Sequence, residues 1–125
     1  MIIPRDEEKK LREDIARRDD ADAKRLARYL AMPDLSRSPE SPIGEIVRRI
    51  RELPYFAGFD TIDVPEIVRT DVSFDLFDFA PEHPARKPSD TYFVTSDRIL
   101  RTHTTVMWYY YFAQELVKER MSKAE

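Results

Sequence analysis

The chain has 125 residues, of which 42% are hydrophobic and 36% charged, and this composition predicts one soluble domain with a strongly solvated surface. Its net charge of −3 argues against a general polyanion binder, and the absence of cysteine excludes disulfides and thiolate metal sites. The sequence contains neither a signal peptide nor an apolar stretch of membrane-spanning length. We therefore expect a cytoplasmic protein with no membrane partner.

The first part of the chain is rich in paired charges. Acidic and basic residues recur at a spacing of four, and each such pair adds about 0.2–0.5 kcal/mol to a helix; the pairs are Asp6 with Lys10, Glu8 with Arg12, Glu13 with Arg17, Asp14 with Arg18 and Asp20 with Lys24. The pattern predicts one charged helix near 6–31. A linker rich in proline and serine follows, and together they form a first segment, residues 1–40.

The second segment, residues 41–125, opens with a signal for the start of a helix. Ser41 is a favoured N-cap, and Pro42 suits the first helical position. The apolar side chains that follow lie on one face and the charged ones on the other; the apolar residues are Ile43, Ile46, Val47 and Ile50. We therefore predict an amphipathic helix near 42–53, ended by Pro54.

Alternating apolar and polar residues then predict a strand. Ile62 and Val64 alternate with threonine and aspartate until Pro65, which cannot continue a hydrogen-bonded ladder, so the predicted strand covers residues near 59–64. Residues 69–90 contain repeated Phe-Asp pairs and three prolines. This composition is typical of a long irregular loop with a functional role.

Two β-prone runs follow, near 91–95 and 98–104, and the short polar connection between them predicts a hairpin. Alternate side chains of a strand share a face. We therefore expect Arg101, His103 and Thr105 on the same side of the sheet.

An aromatic run begins a final helix at about residue 106. Trp108–Phe112 carries no interleaved lysine or arginine, which favours a core or subunit interface over a surface for stacking bases. The helix has no stop signal before Glu125, as expected for a chain cut within a helix.

Three stretches carry a family resemblance. They are IGEI at 43–46 with VPEI at 64–67, FDLF at 74–77 with HPAR at 83–86 and DTYF at 90–93, and LRTHTT at 100–105. The combination of HPAR, DT and LRTHT is highly specific. It resembles the catalytic α subunit of the phenylalanyl-tRNA synthetases, which are class II aminoacyl-tRNA synthetases.

The resemblance implies an α+β fold. Residues 41–125 would be the N-terminal part of a class II catalytic domain, from the motif 1 region through the start of the motif 2 region, with Pro65 as the motif 1 proline. They would form a partial antiparallel sheet with flanking helices, preceded by the charged N-terminal helix.

The resemblance also implies a binding site for phenylalanine. His103 and Thr105 match the histidine and serine that hold the amino group of the amino acid in that family, and Thr105 keeps the hydroxyl. The alternative for His103 is a strand histidine hydrogen-bonded to a neighbour. Further candidates for the substrate pocket or for anchoring the loop are His83, Arg86, Ser89 and Arg101, and Ser89 stands where many relatives have tryptophan or glutamine. No residue is assigned as a catalytic nucleophile or as a metal ligand.

The implied ligands and partners are those of a phenylalanine–tRNA ligase: phenylalanine, ATP with Mg²⁺, phenylalanine tRNA, a β subunit, and a second α subunit contacted through the motif 1 region. The family's two phosphate-binding arginines have no counterpart in this sequence, so we expect the isolated chain to be inactive in amino-acid activation. The alternative function is a non-catalytic synthetase-like module that binds a partner or an amino acid.

Overall fold

Mixed helix and strand make up the computed structural model, which describes residues 3–123. The helices are α1 (Asp6–Arg17), α2 (Ala21–Leu30), α3 (Pro42–Glu52), α4 (Thr70–Ser73), α5 (Val106–Phe112) and α6 (Glu115–Ser122), and the strands are β1 (Ile67–Arg69) and β2 (Arg98–Leu100). Single turns of 3₁₀ helix lie at Pro54–Phe56, Asp75–Phe77 and Pro84–Arg86. The predicted α+β composition is therefore confirmed, and the antiparallel sheet has two strands among the described residues.

The charged N-terminal region forms two helices, so the prediction of one helix near 6–31 is wrong. Arg18 is extended, with φ −87° and ψ 145°, and this residue ends α1. Asp20 then starts α2 because its carboxylate accepts the N–H of Ala23 at 2.9 Å. An aspartate that caps the next helix is more stable outside the helix than within it.

The sheet pairs β1 with β2 in antiparallel register, with Ile67 opposite Leu100 and Val68 opposite Ile99. The predicted strand at 59–64 is wrong, because among the described residues Asp63 makes only a single bridge contact, in which its carbonyl accepts the N–H of Ile3 at 3.0 Å. Pro65, expected to end a strand, instead precedes one.

The predicted hairpin is only partly present, because residues 91–95 form no strand and the second strand is shorter than expected. Phe93 makes a single bridge to Ile99, and the N–H of Leu100 donates to the carbonyl of Tyr92 at 2.9 Å. The strand predicted for 98–104 ends at Leu100, and one further backbone bond joins Arg101 to Glu66 at 2.7 Å. β1 has no residues left to pair beyond that point.

The two predicted helices of the second segment differ in outcome. α3 begins as expected, with the Ser41 hydroxyl accepting the N–H of Ile43 at 3.2 Å. The final helix is interrupted, because Gln114 is extended with φ −72° and ψ 132° and separates α5 from α6.

The core has two parts, one on each face of the sheet. The first lies against α1 and α2 and contains Ile15, Ala23, Leu26, Ile67 and Val94. The second lies against α4 and α5 and contains Val68, Val72, Phe74, Ile99 and Val106. Adjacent residues of a strand point to opposite faces, which places Ile67 in the first cluster and Val68 in the second.

Candidate functional site

His103 lies next to α4, just after the sheet. Its Nε2 is 3.0 Å from the carbonyl oxygen of Ser73. Because a carbonyl oxygen only accepts, Nε2 carries the hydrogen, and in a neutral ring Nδ1 is then an acceptor. The alternative predicted for His103 is a hydrogen bond to a neighbouring residue. The structure shows such a bond at Nε2 but not at Nδ1 within the described residues.

The other ring nitrogen, Nδ1, is unpaired within the described residues. His103 Nδ1 is buried and receives no hydrogen bond from the described part of the chain, and the same is true of the Ser73 hydroxyl oxygen. Leaving a buried polar atom unsatisfied costs about 1–3 kcal/mol. Because Nδ1 is buried, a ligand could donate a hydrogen bond to it and recover that cost only after the side chains that cover it move aside.

Two aromatic rings from residues 74–86, which we call the 74–86 loop, contact His103. The ring of Phe77 meets the imidazole edge-on at 5.4 Å between centroids, and the ring of Phe79 lies 6.2 Å away. Phe79 also stacks on His83 at 4.6 Å and on Phe74 at 5.9 Å. Two sequence-predicted residues, His83 and His103, are thus brought to the same phenylalanine ring.

Arg86 holds the same loop from the other end. Its Nε donates to the carbonyl oxygen of Phe79 at 3.1 Å, and its guanidinium also pairs with Asp75. The guanidinium carbon lies 5.1 Å from the centre of the Phe74 ring, within the range of a cation–π contact. His83 accepts the N–H of Ala85 through Nδ1 at 3.1 Å.

In the described part of the chain, no hydrogen bond or ring contact joins the remaining predicted residues to His103. Ser89 is exposed, and its hydroxyl donates to Asp90 at 2.7 Å. Thr105 is exposed and already has helical backbone angles, φ −61° and ψ −29°, at the start of α5. The expectation that Arg101, His103 and Thr105 share one strand face is therefore wrong, because the strand has ended at Leu100.

Arg101 lines a cavity of about 430 Å³ between the end of α2 and the sheet. Its walls include Tyr29, Arg37, Val64, Glu66, Leu100 and Met107. Part of this wall is fixed by charge, since Arg37 pairs with Asp63 at 2.7 Å. The hydrogen bond from Arg37 and the charge of Arg5 lower the pKa of Asp63 to about 2.

A second cavity, of about 570 Å³, lies between residues 58–62 and the last two helices. Its walls include Phe59, Ile62, Met107, Trp108 and Tyr111, and Asp60 accepts the Tyr111 hydroxyl at 2.8 Å. This bond and the nearby Arg120 lower the pKa of Asp60. Trp108 is 56% exposed, so this part of the aromatic run does not belong to the core.

The described residues contain neither a metal-binding cluster nor a membrane-spanning helix. Within residues 3–123 there is no group of three or more His, Cys, Asp or Glu side chains that could hold a metal ion. No helix in this part of the chain is both long enough and apolar enough to cross a membrane.

Sequence reasoning missed the residues that hold His103, namely Ser73, Phe77 and Phe79. The repeated Phe-Asp pairs indicated a functional loop, but not which ring would reach the histidine. The pairing partner Ser73 carries no signal, because it uses its backbone carbonyl.

Comparison with known proteins identifies the class. The profile of the family described as tRNA synthetases class II core domain (F) matches residues 27–122, most of the chain. The chain therefore belongs to the class II tRNA synthetase core domain family.

Curated relatives are more specific. The chain is 37% identical over 93 residues to the phenylalanine–tRNA ligase α subunit of Trichlorobacter lovleyi, an alignment that covers 70% of this chain and 28% of the relative. It is 32% identical over 100 residues to that of Moorella thermoacetica, covering 78% and 29% respectively. The chain thus spans less than a third of these relatives, and the resemblance carried by HPAR and LRTHTT is confirmed. No solved structure matches the chain.

Proposed function

We propose that this chain is part of the α subunit of a phenylalanine–tRNA ligase. Residues 41–125 would be the N-terminal part of its catalytic domain, from motif 1 to the start of motif 2, and residues 1–40 a helical appendage. The family match and the names of the relatives support the assignment. Pro65, buried two residues before the start of β1, is proposed as the motif 1 proline.

The reaction of such a ligase needs no protein nucleophile. The carboxylate of phenylalanine attacks the α-phosphate of ATP, and a ribose hydroxyl of phenylalanine tRNA then attacks the adenylate. Catalysis therefore rests on positioning and charge stabilisation. Class II membership implies use of ATP, typically with Mg²⁺, but the described residues offer no cluster suited to a metal, so none of them is assigned to it.

The contribution of this chain would be to hold the amino group of phenylalanine. The observation that carries the proposal is the acceptor Nδ1 of His103, which is unpaired within the described residues, lies on a ring oriented by the Ser73 carbonyl, and would be reached by an amino group once the side chains that cover it move aside. An ammonium group is a hydrogen-bond donor and complements this acceptor. The exposed hydroxyl of Thr105, two residues further on, is proposed as the second contact.

The other predicted residues would have supporting roles. His83 and Arg86 are proposed as anchors of the 74–86 loop, because their contacts are with the loop itself. Ser89 and Arg101 are proposed as residues that flank the substrate pocket.

The exposed side of α3 supports a role in subunit contact. Apolar residues of α3 and its C-cap are about half exposed: Ile43 at 51%, Ile46 at 58%, Ile50 at 45% and the C-cap Leu53 at 50%. Contiguous exposed apolar surface is typical of interaction sites. We propose it as the contact with a second α subunit, in an assembly that also contains the β subunit. The same surface favours the alternative function, a non-catalytic interaction module.

Substitution of His103 tests the amino-group site, and two amides separate its two nitrogens. In His103→Gln the amide reaches the position of Nε2, so it keeps the bond to Ser73 and loses the acceptor at Nδ1. In His103→Asn the amide reaches the position of Nδ1, so the acceptor is kept.

The measurement is phenylalanine-dependent ATP–pyrophosphate exchange in the full ligase. Losing a hydrogen bond to a charged group costs about 1.5–3 kcal/mol, so His103→Gln should raise the KM for phenylalanine by roughly ten- to a hundredfold. His103→Asn should raise the KM for phenylalanine by a smaller factor than His103→Gln does. Thr105→Ser should be nearly silent and Thr105→Val should weaken phenylalanine binding, while the KM for ATP stays the same. An unchanged KM in His103→Gln contradicts the site, and absence of exchange in the unaltered ligase favours the non-catalytic module.

A further inference from the structure

A left-handed residue shapes the 74–86 loop. Asp78 has φ 57° and ψ 34°, and no other described non-glycine residue has positive φ. Aspartate is among the few residues that adopt this conformation with a small penalty. The turn sends the N–H of Phe79 back to the carbonyl of Phe74 at 3.1 Å, so that the two rings stack.

The turned-in ring of Phe79 contacts both histidines of the chain. It is stacked on His83 with an interplanar angle of 24°, and it is tilted by 44° to the ring of His103. Its carbonyl is fixed by the guanidinium of Arg86. A continuous set of contacts therefore runs from Arg86 through Phe79 to His103, although Arg86 does not touch the histidine directly.

The hydrogen bond to Ser73 is not sufficient to fix His103. One bond at Nε2 selects the tautomer only while the imidazole stays opposite the Ser73 carbonyl, and this single contact does not hold the imidazole there, whereas the neighbouring aromatic rings restrict its movement. Phe77 supplies the edge contact and Phe79 the tilted one. A side chain that must meet a substrate needs such support, because a misplacement of about 1 Å can cost about a hundredfold in rate.

We propose that Phe79 is a positioning residue for His103 and that Arg86 acts on the histidine through Phe79. The consequence for phenylalanine binding rests on the function proposed above. The orientation of His103 does not, because it is a property of the folded chain.

The first experiment reads the imidazole directly. The chain contains two histidines, so ¹⁵N–¹H correlation spectra of the neutral rings give two sets of signals, assigned with His83→Asn. In the unaltered chain we expect His103 as the Nε2–H tautomer. Phe79→Leu keeps an apolar side chain and removes the ring, so the imidazole should leave the Ser73 carbonyl for part of the time, and the loss of that bond should leave the tautomers of His103 mixed.

A matched control is Tyr92→Leu. Tyr92 is a partly exposed aromatic residue, 41% exposed, whose ring contacts Tyr29 at 5.0 Å and neither histidine. Its substitution should leave the His103 signals unchanged. If Phe79→Leu leaves them unchanged as well, the positioning role is wrong.

Arg86→Lys provides a variant that leaves the apolar side chains of the core unchanged. Lysine keeps the positive charge beside Asp75 but loses the guanidinium bond to Phe79, so the His103 signals should shift in the same direction by a smaller amount. The control is Arg69→Lys, because Arg69 is an exposed arginine paired with Asp71 and makes no aromatic contact in the described structure. Equal effects of the two lysine substitutions on His103 contradict the role of Arg86.

The second experiment connects the orientation to activity in the full ligase. Phe79→Leu should raise the KM for phenylalanine about tenfold with little change in the KM for ATP, and adding Arg86→Lys should cost less than the sum of the single effects. Suppose that Phe79→Leu changes the tautomer of His103 but His103→Gln has no effect on ATP–pyrophosphate exchange. That result contradicts only the proposed function. Suppose instead that His103→Gln weakens phenylalanine binding, whereas Phe79→Leu changes neither the His103 spectrum nor the exchange activity. That result contradicts only the positioning role of Phe79.

Discussion

The buried carboxylate of Glu8 on α1 helps to hold the N-terminal helices against the rest of the chain. The substitution Glu8→Gln tests its contribution to the free energy of unfolding. Glu8 is 3% exposed, and one of its oxygens accepts Nε and Nη2 of Arg12 at 3.0 and 2.7 Å. The other oxygen accepts the N–H of Glu66 at 3.3 Å. Glu8→Gln keeps the size of the side chain but removes its charge and turns an NH₂ group toward groups that are themselves donors.

The expected loss in the free energy of unfolding is substantial. Breaking a buried ion pair by removing one partner costs about 3–5 kcal/mol. The Arg12 side chain is 34% exposed and also pairs with Glu66, so water and Glu66 recover part of that loss. We therefore expect Glu8→Gln to destabilise the chain by about 2–3 kcal/mol, which lowers the urea midpoint by roughly 1 M or more. Urea unfolding of the isolated chain, followed by far-UV circular dichroism and the single Trp108, measures it.

The same helix supplies the control. Glu13 and Arg17 have the same four-residue spacing, but their side chains are 52% and 73% exposed and their charged atoms are 4.0 Å apart. Exposed pairs contribute about 0–1 kcal/mol, so Glu13→Gln should change the free energy of unfolding by less than about 0.5 kcal/mol. If the two substitutions have equal effects, the burial of Glu8 does not stabilise the packing of α1, and the reasoning is wrong.

Two further predictions concern backbone packing and pH. A Cβ added at Gly44 would lie 2.0 Å from the carbonyl oxygen of Ser38, whereas one at Gly58 meets no atom within 4 Å. Gly44→Ala should therefore lower the free energy of unfolding by about 1–3 kcal/mol or more, and Gly58→Ala should change it little. Comparable urea midpoints for the two variants would contradict the close approach at Gly44. Asp63 has a folded-state pKa of about 2 against an ordinary value of 3.8, chiefly through Arg37, so its stabilisation is present above 3.8 and is lost as the pH falls toward 2. Asp63→Asn should therefore lower stability at neutral pH and converge with the unaltered chain near the lower value, and curves that stay parallel would contradict this assignment.

Local signals in the sequence predicted one part of the fold well. The Ser41–Pro42 start of α3 is confirmed, because an N-cap and a proline act on the residues next to them. The strand predicted for 59–64 does not form, because alternating apolar and polar residues show that a segment is able to pair but not that a partner strand lies beside it. Strand ends depend on residues far away in the chain, so the limit of β2 at Leu100 follows from the shortness of β1.

The candidate site divides in the same way. The motif letters identified His103 and Thr105 as candidates, and the family match supports that resemblance. Their arrangement could not be read from the strand pattern, because Thr105 lies in the first turn of a helix and not in the sheet. The ring of Phe79 reaches His103 only because Asp78 adopts a left-handed conformation that the sequence does not require.

The pairs Glu8–Arg12 and Glu13–Arg17 separate what each level determines. The sequence by itself determined the class of protein, through its motifs, and the presence of charged helices, through spacing that acts within one turn. It assigned the two pairs the same strength. The tertiary structure alone decided that Glu8 is buried against Glu66 while Glu13 faces water. The energy of an ion pair depends on its solvent, and the solvent around a side chain is set by residues distant in sequence.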